Sequence, residues 1–234
     1  MDDYGYLRGL GELEIIKNRA LELSPLVSAM EDSYAAVLGF ERHGFFKPEQ
    51  YNLKRAENVN MAVHNQWAVE QIDNPWQLVN GCYTHLIDQA TQMYLELHPA
   101  DRWAGGLPLP ANTKAARARY RQSECLAAEE IHWNMSPNGD GLLPDLSHVH
   151  LQAVWKYSGG CISITLYKPT DVGKRKSCIE IPLCRNRDEQ SKVKYEAAAE
   201  NDILLPGLID EERDHSEDVG EKTKNKRRDE NLFD

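Results

Sequence analysis

Long apolar runs and closely spaced cysteine pairs are both missing from this sequence of 234 residues. No apolar run reaches the ~18 residues that a membrane-spanning helix needs, so we expect no membrane partner. The N-terminal residues are acidic and polar, whereas a secretory signal has a basic start followed by an apolar run. The five cysteines are odd in number, and no pair has the Cys-x-x-Cys spacing. These absences predict a cytoplasmic protein whose cysteines are reduced.

The signatures of nucleotide hydrolases and serine hydrolases are missing too. The sequence has no glycine-rich phosphate loop, because Gly105 and Gly106 precede prolines rather than open a helix. It has no Gly-x-Ser-x-Gly turn, on which a hydrolase presents its nucleophilic serine. These absences disfavour nucleotide hydrolysis and serine hydrolase chemistry, and they favour a non-enzymatic protein without a cofactor over an enzyme.

Acidic residues outnumber basic ones. The chain has 37 Asp and Glu against 27 Lys and Arg, which gives a formal net charge of -10 at pH 7. A field of this sign repels phosphate backbones at long range. A local basic patch can outweigh the net charge, so this balance disfavours a nucleic-acid partner without excluding one.

Apolar residues at spacings of three and four predict five helices in the N-terminal part of the chain. Two of them fill residues 7–39 and meet at Ser24 and Pro25, since proline suits the first turn of a helix. The third and the fifth cover residues 47–73 and 113–132. The fourth, over residues 75–97, has the most regular apolar stripe, which consists of Trp76, Val79, Tyr83, Leu86, Ala90, Tyr94 and Leu97.

The apolar pattern changes to strict alternation over residues 147–184, which is typical of half-buried strands. Three short strands are predicted there, and a Ser-Gly-Gly turn at residues 158–160 joins the first two as a hairpin. Proline cannot donate to a β-ladder, so Pro182 marks the third strand as an edge strand. The short connections predict an antiparallel meander.

These elements predict an α+β fold, in which an N-terminal bundle of about five helices packs on a C-terminal three-stranded antiparallel meander, followed by a disordered tail. Residues 1–205 would form one domain, with the helical part at 1–133, the meander at 147–184 and a last helix over 186–201. Residues 206–234 would form the tail, because an acidic run followed by a basic run has too little apolar surface to fold. The apolar stripes fit closure within one chain or across a homodimer.

The final residues of the sequence include two adjacent apolar side chains, Leu232 and Phe233, in a polar surrounding. Such short motifs are typical of segments that become ordered on binding a protein partner. This motif resembles the Leu-Phe end of bacterial sliding-clamp peptides. Those peptides usually carry a glutamine upstream, where this chain has Asp229, Glu230 and Asn231. We therefore predict that the tail recruits a protein partner.

Basic side chains cluster on the predicted fifth helix and around the third strand. If these clusters share a face, they form a phosphate-binding patch. Positive charge at the start of a helix opposes the helix dipole, which indicates that the basic residues there have a function. The side chains predicted to contact DNA or RNA are Lys114, Arg117, Arg119, Arg121, Lys174, Arg175, Arg185 and Arg187.

A metal-dependent hydrolase is the alternative prediction. Glu129 and His132 lie one turn apart on the predicted fifth helix, a spacing that helical carboxylate metal sites use. His148 and His150 share one face of the first strand and approach Cys178 if the meander pairs in simple register. Zn²⁺ or another divalent cation accepts ligands of these types. The predicted metal ligands are Glu129, His132, His148, His150 and Cys178.

The number of metal ligands at fixed spacing is small, so the non-enzymatic class is favoured. The sequence thus predicts an intracellular interaction or regulatory protein that recruits a partner through its C-terminal tail. Contact with nucleic acid through the basic clusters is a variant of this prediction.

Overall fold

A computed structural model describes residues 4–42, 52–81, 83–100, 113–136, 139, 141–171, 177–186 and 188–189. The chain divides into two compact units, residues 1–202 and residues 203–234. All of the described residues belong to the first unit. The predicted tail, its Leu232-Phe233 motif and nearly all of the helix predicted over 186–201 therefore lie outside the described residues.

Within the described residues, three helices precede the sheet: α1 (Glu12–Ala20), α2 (Ser24–Arg42) and α3 (Asn52–Glu70). Ser24 and Pro25 occupy the first turn of α2, as predicted. Proline has no backbone N–H, and this has no cost in the first turn, where the helix offers no acceptor for that group. The apolar stripe of α2 is buried and consists of Leu26, Met30, Tyr34 and Val37. None of the described helices combines the length and the apolarity needed to cross a membrane.

Eight strands follow in the described residues: β1 (Trp76–Leu78), β2 (His85–Asp88), β3 (Tyr94–Pro99), β4 (Trp133–Met135), β5 (Leu142–Pro144), β6 (His150–Ser158), β7 (Cys161–Pro169) and β8 (Ser177–Leu183). Six of them form one sheet in the order β1-β2-β3-β6-β7-β8, and β4 pairs with β5 separately. In the large sheet β3 and β6 are parallel, and the other neighbours are antiparallel. A short helix, α4 (Lys114–Tyr120), and a 3-10 turn, Ala128–Glu130, lie between β3 and β4.

The three predicted strands are present as β6, β7 and β8, and they pair as an antiparallel meander. Gly159 and Gly160 form the turn between β6 and β7 with φ values of 60° and 87°. These left-handed conformations favour glycine, because a Cβ atom would be strained there. Among the described strands, β8 lies at an edge of the sheet, as its proline predicted.

The predicted arrangement, a bundle of about five helices on a three-stranded sheet, is wrong. Residues 75–97 form β1, β2 and β3 instead of a fourth helix, and the fifth helix is shortened to α4. The apolar residues of this region lie on short strands that are separated by turns, and together they happen to recur at spacings of three and four. One such turn is signalled by Asn80-Gly81, between β1 and β2. The pairing of β3 with β6, which lies more than fifty positions later in the chain, stabilises the extended backbone. Local spacing cannot reveal a partner at that distance.

The helices cover one face of the sheet, and the hydrophobic core lies between the helices and that face. The sheet contributes buried apolar side chains at alternate positions: Leu86, Leu95, Leu97, Leu151, Ala153, Trp155, Ile164, Leu166, Ile179, Ile181 and Leu183. Burial of each leucine or isoleucine contributes roughly 1.5–3 kcal/mol to folding. The alternation leaves the intervening residues on the opposite face, which we call the outer face.

An ion pair between α1 and β2 lies within the helix-covered layer. The Arg19 guanidinium donates to both carboxylate oxygens of Asp88, at 2.9 and 2.7 Å, and both side chains are almost completely buried. The Thr91 hydroxyl also donates to Asp88, at 2.6 Å. Burial lowers the pKa of Arg19, but the hydrogen bond and charge of Asp88 outweigh it, and the pKa lies above its ordinary value. The pair therefore stays ionised and fixes the position of α1 against β2.

Candidate anion-binding groove

The outer face of the sheet carries polar side chains in rows that the strand register aligns. Tyr94 on β3 lies beside His150 on β6, and the two rings are 5.5 Å apart in an edge-on arrangement. The adjacent row crosses five strands and consists of His85, Glu96, Gln152, Tyr167 and Glu180. Polar groups are thus concentrated where β3 and β6 run side by side.

Residues 114–127, which we call the covering segment, pass over this polar region. The Tyr120 hydroxyl donates to the side-chain oxygen of Gln152 at 2.9 Å. The Gln122 amide group donates to the carbonyl of His150 at 2.7 Å and accepts from its N–H at 2.8 Å. Gln122 therefore satisfies both backbone groups at the start of β6, as a neighbouring strand residue would.

A groove of about 320 Å³ lies between the covering segment and the start of β6. It is lined by Ala118, Arg119, Arg121, Gln122, Ser123, His148 and His150. No carboxylate belongs to this set, and six of its seven side chains carry groups that donate hydrogen bonds. Arg121 is exposed and makes no ion pair with the described residues. The groove therefore offers hydrogen-bond donors and positive charge to an anion.

Glu96 on β3 fixes the position of Arg119. The Arg119 guanidinium contacts one oxygen of Glu96, and the His98 ring nitrogen lies 3.1 Å from the other. Burial raises the pKa of Glu96, but the hydrogen bond from His98 and the charges of His98 and Arg119 outweigh burial, so its pKa is lowered overall. The ionised carboxylate neutralises part of the charge of Arg119. Arg121 therefore contributes more positive charge to the groove than Arg119 does.

The two histidines of the groove have different surroundings. Burial lowers the pKa of His150, and the positive charge of Arg119 lowers it further. The Nδ1 atom of His150 is buried and has no hydrogen-bond partner among the described residues. His148 is more exposed, and its ring lies 3.5 Å from the Glu12 carboxylate at the start of α1. Of the two histidines, His150 thus has a buried ring nitrogen whose hydrogen bonding is unsatisfied within the described residues.

The structure brings together some of the residues predicted to contact nucleic acid. Arg119 and Arg121 line the groove, and Lys114 and Arg117 are exposed on α4. Arg185 follows the far end of β8 and lies 3.5 Å from Glu31 on α2, away from the groove. The other three predicted residues, Lys174, Arg175 and Arg187, lie outside the described residues.

The predicted metal ligands are dispersed over several elements. Glu129 belongs to the 3-10 turn and His132 follows it, so the helical spacing assumed for this pair does not occur. His148 and His150 line the groove, whereas Cys178 lies on β8, two strands away from β6. In the parts of the chain that the structure describes, no group of three or more His, Cys, Asp or Glu is placed to hold a metal ion.

Two residues that shape the groove were not predicted from the sequence, Glu96 and Gln122, and Tyr120 was predicted only as an aromatic ring near the basic cluster. Glu96 was assigned to a helix, which hid its place on the outer face of a strand. The contacts of Tyr120 and Gln122 are made to β6, about thirty positions away, and no local pattern signals them. The two arginines were found because clustered charge is visible in the sequence itself.

Comparison with protein-family models, with curated proteins and with solved structures found no match to this chain. The function is therefore inferred from the chemistry of the groove.

Proposed function

We propose that this protein is an interaction or regulatory protein that binds single-stranded nucleic acid in the groove between the covering segment and β6. The observation that carries this proposal is that Arg119 and Arg121 line one groove together with His148 and His150. Guanidinium groups form strong, charge-assisted hydrogen bonds with phosphate oxygens. Neutral His150 can donate or accept a hydrogen bond there without adding charge.

The positive surface extends beyond the groove, which favours a polymer over a small anion. Lys114 and Arg117 are exposed on α4, the element that leads into the groove wall. A single phosphate would occupy the groove alone, whereas a chain of phosphates would also contact these side chains. Consecutive contacts of this kind are typical of proteins that follow a nucleic-acid backbone.

The size of the groove and the ring beside it favour a single strand over a duplex. A volume of about 320 Å³ is at the lower end of sites that hold small ligands, and it is far too small for a double helix. Tyr94 is partly exposed beside His150 and provides an aromatic ring on which a base can stack.

Fluorescence anisotropy with labelled single-stranded DNA and RNA oligonucleotides tests this proposal. Arg121→Glu should weaken binding by about tenfold or more, because it replaces a phosphate contact with a repulsive charge. Arg185→Glu is the matched control, since it alters the net charge by the same amount on an exposed arginine that lies away from the groove. The affinity of this control variant for the oligonucleotide should stay within about twofold of that of the unaltered protein.

Equal weakening by both substitutions would show that only net charge matters, and it would contradict a site in the groove. Absence of binding by the unaltered protein at low salt would remove the proposal altogether. Circular dichroism of both variants checks that neither result comes from misfolding.

Recruitment of a protein partner by the tail is the second part of the proposal, and its support comes from the sequence alone. Leu232 and Phe233 are the apolar pair that would enter a partner's pocket. The double substitution Leu232→Ala and Phe233→Ala should abolish capture of that partner and leave oligonucleotide binding unchanged. Unaltered capture by the double variant would show that the motif has no such role.

A further inference from the structure

Two thiols that are distant in sequence meet at one end of the sheet. The Sγ atoms of Cys125 and Cys178, 53 positions apart, are separated by 3.7 Å. Cys125 belongs to the covering segment, and Cys178 is the second residue of β8. The ladder between β7 and β8 passes from Ile179 to Ser177 and skips Cys178. Cys178 therefore lies in a β-bulge, a feature that redirects a side chain out of the regular alternation.

A buried ion pair lies beside the two thiols. Lys168 on β7 and Glu12 on α1 are both fully buried, and the Lys168 ammonium donates to the Glu12 carboxylate. The same ammonium donates to the carbonyl of Glu124 at 3.4 Å, next to Cys125 in the chain. The Cys178 thiol contacts the Lys168 carbonyl at 3.7 Å. A lysine beside a thiol stabilises the thiolate, which is the reactive form of cysteine.

The two thiols differ in acidity. The hydrogen bond from Cys125 lowers the pKa of Cys178, and the charge of Lys168 lowers it further, against the opposing effects of burial and of the Glu12 charge. The hydrogen bond to Cys178 and burial raise the pKa of Cys125. Cys178 is thus the thiol that ionises first, with a second thiol already in contact.

We propose that Cys125 and Cys178 form a reversible thiol–disulfide site that reacts with hydroperoxides. The geometry carries this assignment, because the sulfur atoms need to approach by only ~1.7 Å to reach disulfide bonding distance. Both residues are partly exposed, so a small oxidant can reach them. The site does not depend on the ligand of the groove.

The reaction balances with hydrogen peroxide as the oxidant. The Cys178 thiolate attacks one peroxide oxygen, the O–O bond breaks, and the released hydroxide takes a proton, which gives a sulfenic acid and one water. The Cys125 sulfur then attacks the sulfenic sulfur, loses its proton, and displaces the second water as the S–S bond forms. In total two thiols are oxidised by two electrons, and one peroxide is reduced to two waters.

Peptide mapping of the full-length protein after peroxide treatment tests this proposal. The reduced protein is treated with substoichiometric hydrogen peroxide, the remaining thiols are alkylated, and the disulfides are located by mass spectrometry. The expected product lacks two hydrogen atoms, contains a Cys125–Cys178 disulfide and returns to the starting mass with dithiothreitol. Cys161 serves as the internal control, because it is exposed and lies away from this thiol pair.

The variants separate the roles of the two thiols. Cys125→Ser should leave a Cys178 sulfenic acid that dimedone traps, whereas Cys178→Ser should slow oxidation of Cys125 by about tenfold or more. Cys161→Ser should leave the disulfide unaffected. Oxidation of Cys161 before the pair, or disulfides joining Cys125 or Cys178 to other cysteines, would overturn the proposal. Both overturning outcomes are measured on the unaltered chain, so a variant that fails to fold does not affect the test.

Discussion

Asp88 and Arg19 form an ion pair that is almost completely buried between α1 and β2. Substitution of Asp88 by asparagine would leave the Arg19 guanidinium buried without a counter-charge. We expect this change to lower the free energy of unfolding by about 3–5 kcal/mol. Urea denaturation measures the loss, with Glu57→Gln as the control for an ion pair. Glu57 pairs with Lys54 on the exposed surface of α3, where the loss of an ion pair has little effect on stability. Similar losses in the two variants would contradict a structural role for the buried pair.

His85 and His150 make the stability of the protein depend on pH. Burial lowers the pKa of both residues below their ordinary value of about 6.5, so the unfolded chain binds protons more readily than the folded one. The contribution of the two histidines to stability is therefore complete above the ordinary pKa of a histidine and is lost as the pH falls below that pKa. The free energy of unfolding, measured by urea denaturation, should decrease between about pH 7.5 and pH 5.5.

His150→Gln should make this decrease smaller, because one of the two buried imidazoles is then absent. His132→Gln is the control, since His132 is exposed and away from the groove. A pH dependence that His150→Gln leaves unchanged would show that other groups cause it.

Glu96 affects a lower pH range. Its pKa is lowered, so the stability that it contributes is lost only as the pH falls below the ordinary pKa of a glutamate.

At the scale of elements, the covering segment depends on contacts with strands rather than on its own helix. α4 has only seven residues, too few for a stable isolated helix. The covering segment contacts the outer face through Tyr120, the start of β6 through Gln122 and the start of β8 through Cys125. The position of the groove wall therefore depends on these side-chain contacts.

Gln122→Ala should release the covering segment from β6. Both hydrogen bonds to the backbone of His150 would be lost, which should lower the free energy of unfolding by about 1–3 kcal/mol. Hydrogen exchange followed by mass spectrometry should show faster exchange in residues 119–127. Ser123→Ala is the control, because Ser123 is an exposed neighbour in the same segment. Unchanged exchange in the Gln122 variant would mean that the segment is held by its other contacts.

At the scale of the whole molecule, the overall charge opposes the proposed binding of nucleic acid in the groove. The net charge of -10 repels a polyanion at long range, while Arg119 and Arg121 attract it at short range. Added salt weakens both effects, but release of counterions from the polyanion dominates once contacts form. Oligonucleotide affinity should therefore decrease with salt, and Arg121→Glu should reduce the slope of log affinity against log salt concentration by about one.

The elements whose partners are near in sequence could be predicted, and those with distant partners could not. The start of α2 at Ser24 and Pro25 and the hairpin at Gly159 and Gly160 follow from the backbone preferences of single residues. β3 was assigned to a helix because its stabilising partner, β6, lies far along the chain. The residues of the groove fall into the same two groups. The clustered arginines could be predicted from the sequence, whereas the role of Gln122 depends on its contact with β6.

The sequence by itself determined the composition of this protein, the meander of β6, β7 and β8, and the presence of a basic cluster near residue 120. These properties depend on residue type and on spacing over a few positions. The tertiary structure decided that the sheet has six strands in the described residues, that Arg119 and Arg121 meet His150 in one groove, and that Cys125 meets Cys178. Each of these depends on contacts between residues that lie far apart in the chain, and the free energy of such contacts is set by burial and hydrogen bonding in the assembled fold.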